Sequence, residues 1–299
     1  MSELPAGLYD SAALSGETAL GQLLSNASVE LGPNRAQDAT AIAGKLPQGT
    51  SVFISHLPRH SLAQSLSAVQ SLHEAGLRPV PHVAARRIAS RDEITTFLRM
   101  ACGQAGVRRL LLIGGDLEDT AGPYADAEAV LADPAVANAG LEEISFAVYP
   151  EEHPRIPRQQ LEDALKRKID SASAMGLSVS LVTQLCFTPE RITACIDTVA
   201  SRYPQVALHI GVAGPTSLMS LARYAQTCGV ANSFGSLVRM GRKSFQLATS
   251  SDPLRELVPV ATSLARFGRA NIAGAHFFAF GGAVATADWI TSQLTNEQC

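Results

Sequence analysis

The chain has 299 residues, 46% of them apolar and 17% charged, which is enough for a packed core and lies within the span of one large α/β domain. A formal net charge of −3, with acidic and basic residues interleaved, leaves no polyanion-binding face and excludes nucleic acid as the expected partner. Five scattered cysteines without a CxxC pair read as free thiols, not as a disulfide framework or a zinc site, so no metal is expected.

Taken in chain order, residues 1–20 lack both a basic region and a continuous apolar run, and no later stretch approaches the ~18 apolar residues of a membrane span. They read as an N-terminal arm ahead of a single domain over 21–299, in a soluble, cytoplasmic protein. Apolar runs then recur: ASVEL (27–31), TSVFISH (50–56), RPVPHVAA (78–85), RRLLLIGGD (108–116), EISFAVYP (143–150), SVSLVTQLCF (178–187), QVALHIGVAG (205–214) and GAHFFAFGG (274–282). Between them lie stretches with apolar spacing of three and four, among them 61–76, 91–106, 160–176 and 217–229, several ending on a glycine suited to a helix C-cap: Gly76, Gly106, Gly176, Gly229. Residues 230–270 add helical material before the last strand, and the apolar helix near 254–266 is suited to pack on the barrel or on a second copy in a homo-oligomer.

Strands that are apolar throughout, alternating with helices, indicate a parallel sheet covered on both faces. Eight such units predict a (β/α)8 TIM barrel with extra helices near the C-terminus; a doubly wound sheet is the alternative.

In a parallel barrel the C-terminal strand ends line the mouth, and the polar residues fall there. Glu30 interrupts strand one, Ser55 and His56 end strand two, and His82 lies near the end of strand three. Asp116 follows strand four behind Gly114-Gly115, strand five ends in Tyr149 to His153, strand six carries Gln184, and strand eight holds His276. A carboxyl inside an apolar strand is expected to titrate high and to serve as a general acid, unless an arginine or lysine pairs with it. Asp116 suits either a ligand contact or a turn cap, and His82 either a site or a hydrogen-bonded core histidine. Gln184 offers the donor and acceptor of an amide to a ligand edge or to neighbouring backbone. Lys166-Arg167-Lys168 reads as a solvated helix face or a phosphate contact. No GxGxxG follows an early strand, and GxxxxGK[ST], HExxH and GxSxG are absent.

The set SVELGP (28–33), PHVAARR (81–87), GGDLEDTAGPYA (114–125), YPEEHP (149–154), LKRKID (165–170), VTQLCF (182–187), HIGVAGPTSL (209–218) and HFFAF (276–280) resembles the methylenetetrahydrofolate reductases. The resemblance implies hydride transfer from NADH or NADPH through FAD to 5,10-methylenetetrahydrofolate, or the reverse oxidation of 5-methyltetrahydrofolate in one-carbon catabolism. It makes Glu30 the acid that protonates folate N10, Asp116 the carboxylate that holds the pterin and tunes the flavin, and Gln184 the contact to pterin and nicotinamide in turn. It places Ser55, His82, Gly115, Asp116, Tyr124, Ala125, His153, Arg167 and Lys168 against FAD, and Leu218 against substrate. Gly114 stands where the family has the arginine of an Arg-Gly-Asp motif, and Ala164 replaces an asparagine. Two further functions are carried alongside: flavin-independent transfer from nicotinamide directly to folate, and a pterin-binding methyl-transfer barrel.

Overall fold

A computed structural model describes residues 16–153, 155–217, 220, 250–267 and 271–297. Leu218, Gly229, most of the predicted helix over 217–229 and the stretch 230–249 lie outside the described residues.

Eight parallel strands close into a barrel: β1 (Ser28–Leu31), β2 (Ser51–Ile54), β3 (Arg78–Ala84), β4 (Arg109–Ile113), β5 (Glu143–Val148), β6 (Ser178–Thr183), β7 (Ala207–Ala213) and β8 (Ile272–Phe278). Each pairs with its sequence neighbour, and β8 closes the ring on β1 through Ser28–His276 and Val29–Phe277. This is the (β/α)8 architecture expected from the eight apolar runs, with strand ends within a few residues of them. A two-residue antiparallel pairing of 216–217 with 250–251 lies outside the barrel sheet.

The α-helices among the described residues are α1 (Gly16–Ser25), α2 (Ala39–Ala43), α3 (Leu66–Glu74), α4 (Arg91–Gln104), α5 (Ala127–Leu131), α6 (Pro134–Ala137), α7 (Arg158–Ala174), α8 (Pro189–Arg202), α9 (Leu254–Phe267) and α10 (Ala283–Glu297). α4 shows why the sequence makes them. Ser90 caps its start by accepting from the Glu93 amide at 3.1 Å, and Ile94, Phe97, Leu98, Ala101 and Cys102 form one buried stripe. α3, α4 and α7 stop within two residues of Gly76, Gly106 and Gly176, which take the positive φ of a C-cap. No helix among the described residues is long and apolar enough to cross a membrane.

Alternate strand residues such as Val29, Leu31, Ile144, Phe146, Ala275 and Phe277 pack outward in the main core beneath the helices. Their neighbours therefore face the barrel axis. One part of that interior is apolar, formed by Phe53, Val80, Leu111 and Val182. The rest is polar and bonded across strands: Ser28 to His276 Nδ1 at 2.9 Å, Ser145 to Ser180 at 2.7 Å, and Arg109 to Glu143 at 2.6 Å near the strand starts.

Candidate active site at the barrel mouth

Parallel closure delivers every strand end to one rim. Glu30 is the penultimate residue of β1, Ser55 and Gln184 directly follow β2 and β6, His82 is two residues from the end of β3, and Asp116 is three residues past β4. Glu30, Asp116 and Gln184 thus share one end of the barrel.

Glu30 alternates with the outward Val29 and Leu31, so its carboxyl points inward, where it is 19% exposed. Burial pushes its pKa up to about 7, opposed by a hydrogen bond with the Ser55 hydroxyl. His82 Nε2 stands 3.6 Å from Glu30 Oε1, beyond hydrogen-bond length, and has no hydrogen-bond partner among the described residues. Burial, with the His56 charge adding to it, lowers the His82 pKa to about 3, so this ring is neutral. Near neutral pH Glu30 is therefore poised between its protonated and ionised forms, beside a neutral imidazole. Among the described residues no arginine or lysine pairs with it. Phe53 walls the pair below, edge-on to His82 at 5.9 Å and to His276 at 4.6 Å.

His56 has a different task. Its Nδ1 accepts from the Ala84 amide at 3.1 Å and its Nε2 donates to the His60 carbonyl at 3.0 Å, which ties the β2 exit to β3.

Asp116 caps neither a helix nor a turn; the caps of α5 and α6 are Asp126 and Asp133. Its carboxylate pairs with the Arg87 guanidinium, which arrives from the β3 exit. The whole 114–125 loop is sewn to that exit. The Arg86 amide donates to the Gly114 carbonyl, the Ala121 amide donates to the Arg86 carbonyl, and the Arg86 side chain donates to Ala125 O at 2.7 Å and Leu117 O at 3.0 Å. Gly115 takes φ +89°, which a larger residue would resist, and Gly122 lies so close to Ala89 that a Cβ would stand 2.3 Å from its carbonyl oxygen.

Gln184 has committed its amide oxygen to the Leu185 amide at 2.9 Å, so its NH2 is the group left to meet a ligand. Leu117 and Tyr149, each 37% exposed, add apolar surface to loops of this rim, and His153 packs edge-on to Tyr149 at 5.2 Å. His153 Nδ1 is occupied by the Arg155 and Ile156 amides, which fixes the β5 exit.

The residues expected at a flavin divide into two groups. Ser55, Gly115, Ala125 and His153 lie on the rim loops. Tyr124 is turned into the core, where its hydroxyl donates to Asp133 at 2.7 Å, so only its backbone can meet a ligand. The basic run separates by rotation around α7: Lys166 pairs with Asp170 in solvent, and Arg167 pairs with Glu128. Lys168 is half-buried, with its ammonium 5.0 Å from the Phe146 ring centre, and makes no ion pair among the described residues. Burial lowers its pKa against the pull of Asp126 and Glu128. That ammonium lies over a residue of the outward core beneath the helices, and Tyr124 and Arg167 are spent on protein partners.

Arg86 and Arg87 carry the site's second layer and were not assigned from the sequence. The signal was present in two successive arginines directly after an apolar strand. Among the described residues no group of three or more side chains is arranged to hold a metal. No protein-family model matches the chain. Among solved structures, dihydropteroate synthase from Thermus thermophilus aligns over 89% of this chain and 91% of its own, at 12% identity and a TM-score of 0.47. The barrel assignment stands on the strand order, not on that likeness.

Proposed function

We propose that this barrel is a 5,10-methylenetetrahydrofolate reductase, passing hydride from NADH or NADPH to the folate with FAD as the resident cofactor. The observation that carries the reading is Glu30: a carboxyl whose pKa burial raises to about 7, facing the axis of the same rim that bears Asp116 and Gln184.

Opening the imidazolidine ring of the substrate requires a proton on N10 as its bond to the bridging carbon breaks. Glu30 is suited to give that proton, because a donor works best when its pKa lies near the working pH. The Ser55 hydroxyl beside the carboxyl favours its ionised form and so helps stabilise the carboxylate that remains. The neutral His82 adds no positive charge that would hold the carboxyl ionised beforehand. The carboxylate of Asp116 can accept from the N–H groups of the pterin, and the Gln184 NH2 can donate to a carbonyl of the pterin or of the nicotinamide. When bound, FAD supplies the hydride relay between these two ligands, which use one face in turn. Gly115, Ala125 and His153 would meet it from the rim loops.

Tyr124 in the core and Arg167 on Glu128 favour a second reading, direct transfer from nicotinamide to folate without flavin. One experiment separates them: an absorption spectrum of the purified protein before and after anaerobic NADH. A yellow protein that bleaches supports the flavin route. A colourless protein that oxidises NADH only when methylenetetrahydrofolate is present supports the direct one. Absence of folate-dependent turnover in either state removes both readings.

A further inference from the structure

We propose that Arg87 is the positioning residue for Asp116, holding one carboxylate oxygen from below so that the other meets a neutral ligand edge bearing N–H donors. This rests on the reading above, in which Asp116 touches the pterin.

The geometry has three parts. Asp116 follows two glycines, one with open space where a side chain would begin and one at φ +89°, so its own loop supplies no wall to fix the side chain. Arg87 supplies it from the neighbouring strand: the Arg87 side chain is 10% exposed and that of Asp116 is 35% exposed, so the cation lies beneath and the carboxylate above. Oδ1 is the atom paired with Arg87, which leaves Oδ2 outside that ion pair. Arg86 fixes the surrounding backbone at Gly114, Leu117, Ala121 and Ala125, so successive arginines divide the work between the loop and its side chain.

The pairing also selects chemistry. A lone carboxylate at a half-buried mouth would attract cations, whereas a guanidinium beneath it cancels the net charge and leaves a directional acceptor. An uncharged aminopyrimidine edge suits that acceptor better than an ammonium does.

The test uses the full-length protein with Arg87→Ala, Arg87→Lys, Asp116→Ala and the Arg87→Ala/Asp116→Ala pair. Steady-state kinetics with methylenetetrahydrofolate and calorimetric titration with tetrahydrofolate are read together with melting temperature. Arg87→Ala is expected to raise the folate KM and Kd about tenfold with kcat within about threefold, and Arg87→Lys to recover part of the loss. The double variant is expected to be no worse than Asp116→Ala alone, with all melting temperatures close to the parent's. Unchanged KM in Arg87→Ala, or multiplicative losses in the double variant, overturns the proposal. If the parent binds tetrahydrofolate without turning over, the reductase reading fails while the titration still decides the role of Arg87. A parent that neither binds nor turns over removes both.

Discussion

Replacing Glu30 by glutamine isolates the energetic signature of a buried acid. In the unfolded chain this carboxyl titrates near its ordinary 4.5; in the barrel, burial raises it to about 7. Between those values the folded state keeps a proton that the unfolded state has lost, so stability falls as pH rises through the interval and levels off above it. At about 1.4 kcal/mol per pH unit, an interval from 4.5 to about 7 corresponds to about 3 kcal/mol. Glutamine has the same shape and never ionises. The variant should therefore match the parent in urea unfolding near pH 4.5 and exceed it by up to about 3 kcal/mol at pH 8. The buried histidines, whose lowered values act below pH 6.5, are present in both proteins and cancel in the difference. A difference that does not change with pH, or a variant less stable at pH 8, refutes the claim that Glu30 is held as an acid. Its turnover should drop by about 10²–10⁴, the usual contribution of a general acid, with tetrahydrofolate binding retained in calorimetry.

Glu256 makes a parallel case: buried in the first turn of α9, with its charge felt by the Cys186 thiol past the end of β6, and raised to about 7 by burial, it should give Glu256→Gln the same gain at pH 8. Tyr124→Phe removes a hydroxyl from Asp133, which also pairs with Arg91 and caps α6, and should cost about 1–3 kcal/mol in chemical unfolding while leaving nucleotide and folate affinity unchanged. Loss of flavin affinity without loss of stability would show that the Tyr124 ring serves the cofactor instead. Gly122→Ala places a methyl group against the Ala89 and Ile88 carbonyls and should lift the 114–125 loop, costing about 1–3 kcal/mol and weakening tetrahydrofolate binding in the same titration.

Much of this was legible in the chain itself, for a reason visible in β4. An apolar run that ends abruptly in Gly-Gly-Asp reports both its burial and the point where it meets the mouth, while Glu30 and Gln184 stood out as polar groups carried by apolar strands. The partners of those residues were not legible. Arg87 reaches Asp116 because β3 and β4 are adjacent at a particular register, His82 with Leu111, and no spacing within either strand encodes it. Tyr124 lies in a polar loop that looks ligand-facing, yet its orientation is set by Asp133 nine residues later. Lys166, Arg167 and Lys168 read as one basic cluster, but consecutive helix positions are turned by about 100°, and each cation found a different environment.

The stitching between the β3 exit and the 114–125 loop has a consequence for how such barrels diversify. Loops on a barrel rim are usually treated as interchangeable parts, each replaceable on its own strand. Here the segment bearing Asp116 draws its shape from residues 85–89, so the two form one cassette. A transplant of 114–125 into another scaffold would arrive slack unless Arg86 and Arg87 travelled with it.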